Sequence, residues 1–310
     1  MQPLVRRLLI AAAALVALPL TLGAQPAPVG TLLVAHGGGP EWNAQVKEVA
    51  ALARTGGLLE VSFLMGPGAP THRFQDAVRR LVEQGAREIV VVPLLVSSHS
   101  GHYEQIRYLA GQTDSLDEQM RHHLHMAGIE RASVPVPISV TRAIDDAAEI
   151  TAVLADRALA LATAPREQAL FLIGHGPNSA EDHAVWMRNL RPVAERVKQA
   201  TGFRDVKIGL VRDDAPAEVR AEAVRAIRET IELQSLATGK PVVVVPVLIA
   251  TGQVSREKLP RDLAGLPIVY RGEALLPHPG MARWVEASVQ QRRPAAAPPA
   301  AAPAAHTQRH

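Results

Sequence analysis

The sequence predicts an α/β protein built from two repeated halves, each a four-stranded parallel sheet flanked by helices. Two recurring segments and one pattern carry that expectation. Thr31-Leu32-Leu33-Val34-Ala35-His36-Gly37 returns as Leu170-Phe171-Leu172-Ile173-Gly174-His175-Gly176. Val90-Val91-Val92-Pro93-Leu94-Leu95-Val96 returns as Val243-Val244-Val245-Pro246-Val247-Leu248-Ile249. The interval from His to Pro is 57 residues in the first half and 71 in the second, so the order of elements survives while connections lengthen. Between these marks, short continuous apolar runs alternate with stretches of helical period, the pattern of βαβ units around a sheet buried on both faces.

Taken in order, the apolar runs place strands near 31–35, 58–63, 88–95 and 134–138, with helices near 41–54, 71–85, 103–126 and 143–163. The second half reads as strands near 168–173, 205–211, 241–248 and 266–270, with helices near 180–200, 216–237 and 280–291. The halves run over 31–165 and 166–293. A flavodoxin-like strand order 2-1-3-4 with right-handed crossovers makes the first and third strands of each half neighbours.

The chain has 310 residues, 47% apolar and 20% charged, enough for two domains with real cores. Residues 1–24 read as a signal peptide: Arg6 and Arg7 precede an uncharged run from Leu8 to Leu22 that ends in Gly23 and Ala24. That run is shorter than the roughly 20 apolar residues a membrane span needs, so no stable membrane insertion is expected after cleavage. The expected location is periplasmic or secreted. Leu8-Leu9-Ile10 after the arginine pair is only a partial match to twin-arginine export, which favours the general secretory route. Residues 294–310, mostly Ala and Pro, are expected to lie outside the fold as a disordered tail.

Without the leader's two arginines the formal charge of +3 falls to +1, and the chain has only 3 Trp, 3 Tyr and 4 Phe. A nucleic-acid partner is therefore not expected. The absence of cysteine excludes disulfides, thiolate metal sites and a cysteine nucleophile. Any metal must be held by His and carboxylates, and no G-x-S-x-G, Walker A or H-E-x-x-H sequence points to other chemistry.

Three histidines then become candidates. His36 follows the first predicted strand, while His99 and His102, in Ser97-Ser98-His99-Ser100-Gly101-His102, follow the third. Neighbouring strands lie about 4.8 Å apart, so imidazoles at those two carboxyl ends can share one ion or face one flat substrate, at the switch point where such sheets bind ligands. Three further histidines, His122, His123 and His125, lie on a predicted helix, with 122 and 125 on one face. They read more readily as a solvated helix surface than as ligands. His306 and His310 belong to the tail.

The repeated halves, the His-Gly after the opening strand, the Val-Val-Pro-Leu-Leu-Val-Ser-Ser segment followed by His, and the closing Gly272-Glu273-Ala274-Leu275-Leu276-Pro277-His278-Pro279 resemble the CbiX/SirB family of class II chelatases. The resemblance covers nearly all of residues 31–290. It implies a chelatase-like fold related to ferrochelatase and a lyase-type activity, insertion of cobalt, nickel or iron into sirohydrochlorin on the way to cobalamin or sirohaem. The metal enters as substrate, and no organic cofactor is expected. Carried over by position, the metal-binding and proton-accepting histidines are His36 and one in the third-strand loop. That loop is a residue longer than the family's; His102, directly after Gly101, is the better match, with His99 as a helper.

The chemistry fits the ligand type. Neutral imidazole is a borderline ligand for Co²⁺, Ni²⁺ and Fe²⁺ and titrates near neutral pH. Two His with Glu104, leaving open positions, suit delivery of an ion better than storage. Arg73, Arg107 and Lys258 are candidates for a macrocycle's carboxylates. In the second half the loop after Pro246 places Val254 where a second His would fall, so the metal site is expected in the first half, with His175 as a turn or wall residue. Because such chelation is expected inside the cell and the chain reads as exported, a non-catalytic metal or tetrapyrrole carrier on the same fold stands as the alternative. The leader makes a direct prediction: N-terminal sequencing of the mature protein gives a start between about residues 23 and 28, whereas an intact Met1 on a cytoplasmic protein overturns the export reading.

Overall fold

The computed structural model describes residues 28–292, so the leader and the tail read in the sequence lie outside the described residues. Two four-stranded parallel sheets form, as the repeat predicts. The first is built from β1 (Val29–Ala35), β2 (Leu58–Phe63), β3 (Glu88–Leu94) and β4 (Ile138–Val140), in the order β2-β1-β3-β4. The second contains β5 (Ala169–Gly174), β6 (Asp205–Leu210), β7 (Val242–Val247) and β8 (Ile268–Val269), in the order β6-β5-β7-β8. Ala35 pairs with Leu94 and Gly174 with Val247, so each central pair of strands ends level and sends its two following loops into the same space.

Nine α-helices flank the sheets among the described residues. They are α1 (Pro40–Leu52), α2 (Phe74–Glu83), α3 (Gly101–Leu109), α4 (Glu118–Met126) and α5 (Glu149–Leu159), then α6 (Ala180–Thr201), α7 (Ala217–Thr238), α8 (Leu259–Asp262) and α9 (Pro279–Gln290). The central strands are buried along almost their whole length because helices cover both faces, which is why they read as continuous apolar runs rather than alternating ones. On α2, Phe74, Ala77, Val78 and Leu81 recur at helical spacing and are fully buried. Burying a side chain such as Phe74 is worth about 1.5–3 kcal/mol.

Two expectations are corrected. The single helix expected over 103–126 is two, α3 and α4, because the chain turns at Gly111 with φ +74, a conformation that ends a helix. The strand expected over 134–138 begins instead at Ile138. Pro135 and Pro137 have no N–H to give to the ladder, so pairing starts only beyond them. A short π-helical turn over Val254–Lys258, leading into α8, was not anticipated.

The halves are closed onto each other by an exchange of helices. The first half's last helix, α5, packs on α6 and β7, and the chain's last helix, α9, returns to pack on α1, α5 and β3. Arg157 of α5 donates to the carbonyls of Ala274 and Pro277 and pairs with Glu273, and Arg292 just past α9 donates to Val140. One apolar core consequently runs from Leu32 and Val91 through Val153 and Trp284 to Leu172 and Val245.

The loop after β3 is tied down by Asp145, which is 1% exposed. Its carboxylate accepts from the Ser98 N–H at 2.8 Å and the Ser98 hydroxyl at 2.7 Å, and from Asn189 of α6 at 3.4 Å. Arg142 supplies the countercharge at 3.2 Å. Replacing Asp145 with Ala leaves these buried donors unpaired and is expected to cost roughly 3 kcal/mol, read as a lower midpoint in denaturant unfolding.

Candidate functional site

His36 stands at the carboxyl end of β1, where the chain turns sharply at Gly37 (φ +93). A Cβ at Gly37 would lie 2.1 Å from the carbonyl oxygen of Met65, so glycine is required for the β1 and β2 loops to pass each other. The His36 Nδ1 lies 2.7 Å from the Gly37 carbonyl. A carbonyl only accepts, so Nδ1 carries the proton and Nε2 keeps its lone pair.

His102 sits in the first turn of α3, capped by Ser100, whose hydroxyl accepts from the Tyr103 N–H. Its Nδ1 lies 2.8 Å from Oε1 of Gln105, and the Gln105 amide in turn donates to the Met120 carbonyl of α4 at 2.8 Å. Gln105 is buried, so α4 orients the histidine through it and again leaves Nε2 free. The two rings meet edge to face, centroids 4.6 Å apart at 83°.

The structure therefore pairs His36 with His102. The His99 side chain is exposed, and its carbonyl instead accepts from the Trp186 indole of α6 at 2.6 Å, anchoring the loop to the second half. Glu104 and Arg107 bind each other, Arg73 binds Asp76, and Lys258 binds Asp213, so the carboxylate and cations proposed for the cleft already have protein partners. On α4, His122 and His125 are exposed, while His123 has a buried Nδ1 without a hydrogen-bond partner and its charge reaches His102.

In the second half, His175 follows β5 as His36 follows β1. Its Nδ1 lies 2.8 Å from the Gly176 carbonyl, and Gly176 has φ +80. Missing from the sequence reading were Asp213 and Asp214 in the loop after β6, whose Oδ2 atoms lie 3.8 and 3.4 Å from His175 Nε2. The backbone N–H of Arg212 donates to the His175 carbonyl, and its guanidinium clamps the carbonyls of Pro177 and Asn178. The loop is therefore held against the β5 turn. The available signal was the switch-point rule, which applies to the end of the second strand as well as to the first and third.

Electrostatics separates these imidazoles. Burial, reinforced by the charge of His36, pushes His102 down to about 4, and burial likewise lowers His36, with His175 adding to the effect. Burial also acts to lower His175, but hydrogen bonds to Asp214 and Gly176 and the charges of both aspartates outweigh it and raise the value. Near neutrality the lowered values leave the His36/His102 pair uncharged with two lone pairs to offer, while the aspartates favour the charged form of His175.

Two like-wound parallel sheets with paired imidazoles beyond the strand ends define a two-domain chelatase-like protein. Residues 30–161, the first of the two halves, match the CbiX family model. Among solved structures it resembles SirB from Bacillus subtilis with Fe³⁺ (19% identity, 85% of this chain and 95% of that chain, TM-score 0.58). It also resembles the sirohydrochlorin chelatase SirB of Bacillus subtilis subspecies spizizenii in complex with cobalt (19%, 85% and 94%, 0.56). A third likeness is to CbiX, described as the terminal enzyme of sirohaem biosynthesis in denitrifying bacteria (14%, 86% and 100%, 0.51). At such identities these likenesses show the fold. A search among curated proteins finds no match. Among the described residues, no helix is long and apolar enough to cross a membrane.

The raised value of His175 has a consequence for stability. A histidine held above its unfolded value, near 6.5, contributes stability that is fully present below that pH and is lost as the pH rises through the folded value. Asp214→Asn removes the partner that holds it there. Denaturant unfolding at about pH 6 should show a larger loss than at about pH 9, and an equal loss at both would refute the pairing.

Proposed function

We propose that the protein inserts a divalent metal, cobalt, nickel or iron, into a tetrapyrrole such as sirohydrochlorin, with His36 and His102 as metal ligands and proton acceptors. The observation that carries the proposal is the edge-to-face pair itself: two imidazoles with Nδ1 hydrogen-bonded, Nε2 free and charge suppressed, at the carboxyl ends of adjacent strands. The match of residues 30–161 to the CbiX family model and the metals named in the two SirB structures support the same substrate class.

Insertion exchanges one divalent ion for the two pyrrole N–H protons of the macrocycle, so the site must hold the ion loosely and take up protons. Two imidazoles leave most of a metal's coordination positions open, which suits surrender to four pyrrole nitrogens. Their lowered proton affinity keeps both free for metal at neutral pH, and a proton accepted by either is readily passed on to solvent. With the leader read in residues 1–24, the proposal includes export, so the reaction would run in the periplasm or outside the cell.

The test is to mix purified protein, sirohydrochlorin and Co²⁺ and follow the absorption spectrum. Conversion of many equivalents per protein supports the enzyme; a shift that stops at one equivalent shows a carrier. His36→Ala and His102→Ala should each lower the rate by at least about 100-fold with little change in unfolding midpoint, since neither ring contributes much to the core. His99→Ala should retain most of the activity. Full activity in the His102 variant with loss in the His99 variant would move the second ligand.

A further inference from the structure

The two halves of the repeat differ in a complementary way. In the first, the N–H of Met65 donates to the His36 carbonyl; in the second, Arg212 donates to His175 in the same manner. Counting on from these equivalent positions, Gly66-Pro67 of the first half corresponds to Asp213-Asp214 of the second. The first half brings a second imidazole, His102, to its histidine. The second brings two carboxylates.

Those carboxylates create a local conflict. Nδ1 of His175 donates to the Gly176 carbonyl, so whenever the ring is neutral Nε2 directs a lone pair at Asp214 and Asp213, 3.4 and 3.8 Å away. A lone pair facing two anions is repulsive unless positive charge lies between them. A proton satisfies one oxygen. A divalent ion satisfies all three groups, and one donor atom from each lies within 4.8 Å of the others. One imidazole with two carboxylates suits first-row divalent ions such as Co²⁺ or Fe²⁺.

The surrounding charges hold this set in place. Lys258 lies 2.6 Å from Oδ2 of Asp213 and Arg220 lies 3.0 Å from Oδ1, and Arg220 is itself shared with Asp262 at 2.7 Å. Asp213 is thereby fixed as an anion with its side chain 2% exposed, whereas the Asp214 side chain is 66% exposed and reachable from solvent. Asp214 also acts electrostatically on both His36 and His102, and His175 on His36, so the set lies near that pair.

We infer that His175, Asp213 and Asp214 form a second divalent-cation site, facing the His36/His102 pair from the other half, where an ion is captured from solution. The capture role rests on the proposed metal-inserting function; the binding itself does not require it.

The test uses Co²⁺ alone, titrated into the metal-free full chain and followed by calorimetry and visible absorption, without tetrapyrrole. The wild type is expected to bind two equivalents. His175→Ala and Asp214→Asn should each bind one, Asp214→Glu should keep two, and the His36→Ala/His102→Ala double variant should keep the one that the others lose. Circular dichroism confirms that each is folded. A single wild-type equivalent lost only in the double variant overturns this site and leaves the proposed function intact. A single equivalent lost only in the His175 and Asp214 variants supports this site and overturns the His36/His102 pair as a metal site. A single equivalent lost in both sets means one shared ion and overturns a separate station, as does retention of both equivalents in His175→Ala and Asp214→Asn.

Discussion

A parallel sheet buried on both faces needs helices on each side of it, and here each half draws some of that cover from the other. Helix α5 ends the first half yet packs on β7, and α9 ends the chain yet packs on β3. Each sheet thus has a helix from the other half against it, and the two halves share a core that extends from Leu32 to Val245.

On this frame, small polar devices orient the imidazoles. His36 and His175 are aimed by the same local means, a left-handed glycine whose carbonyl holds Nδ1, and both therefore present Nε2. His102 reaches the same tautomer by a longer route, through Gln105 to the carbonyl of Met120. The groups around them then separate the charge states. His36 and His102 lie half-buried beside each other and lose proton affinity, while His175 has aspartates at hand and gains it. Repetition supplied two equivalent positions, and divergence of the neighbouring loops made one of them neutral and the other charge-paired.

The sequence was most legible where a pattern repeats. The recurrence of an apolar run ending in His-Gly, and of Val-Val-Val-Pro, was enough to predict two four-stranded sheets in the order found, and adjacency of the first and third strands was enough to predict that His36 meets a histidine of the Ser97–His102 loop. Those inferences succeed because strand pairing turns sequence distance into a few ångströms once the order is known. Reading failed where the chain breaks its own period: at Gly111, which divides a helix, and at Pro135 and Pro137, which delay β4.

What the sequence determined by itself was the identity and approximate position of the histidines, since local pattern names the strand and the strand end names the site. Three things were decided only by the tertiary structure. Which histidine pairs with His36 depends on the direction each side chain takes out of the loop, and Trp186, about twenty residues into the second half, holds His99 by its backbone while its ring faces solvent. The tautomers depend on partners such as Gln105 and Met120 that no motif marks. The meeting of His175 with Asp213 and Asp214 depends on a loop nearly forty residues downstream being clamped by Arg212 to the turn after β5. Each is a matter of side-chain direction and charge at distances of a few ångströms, and periodicity along a chain carries no information about either.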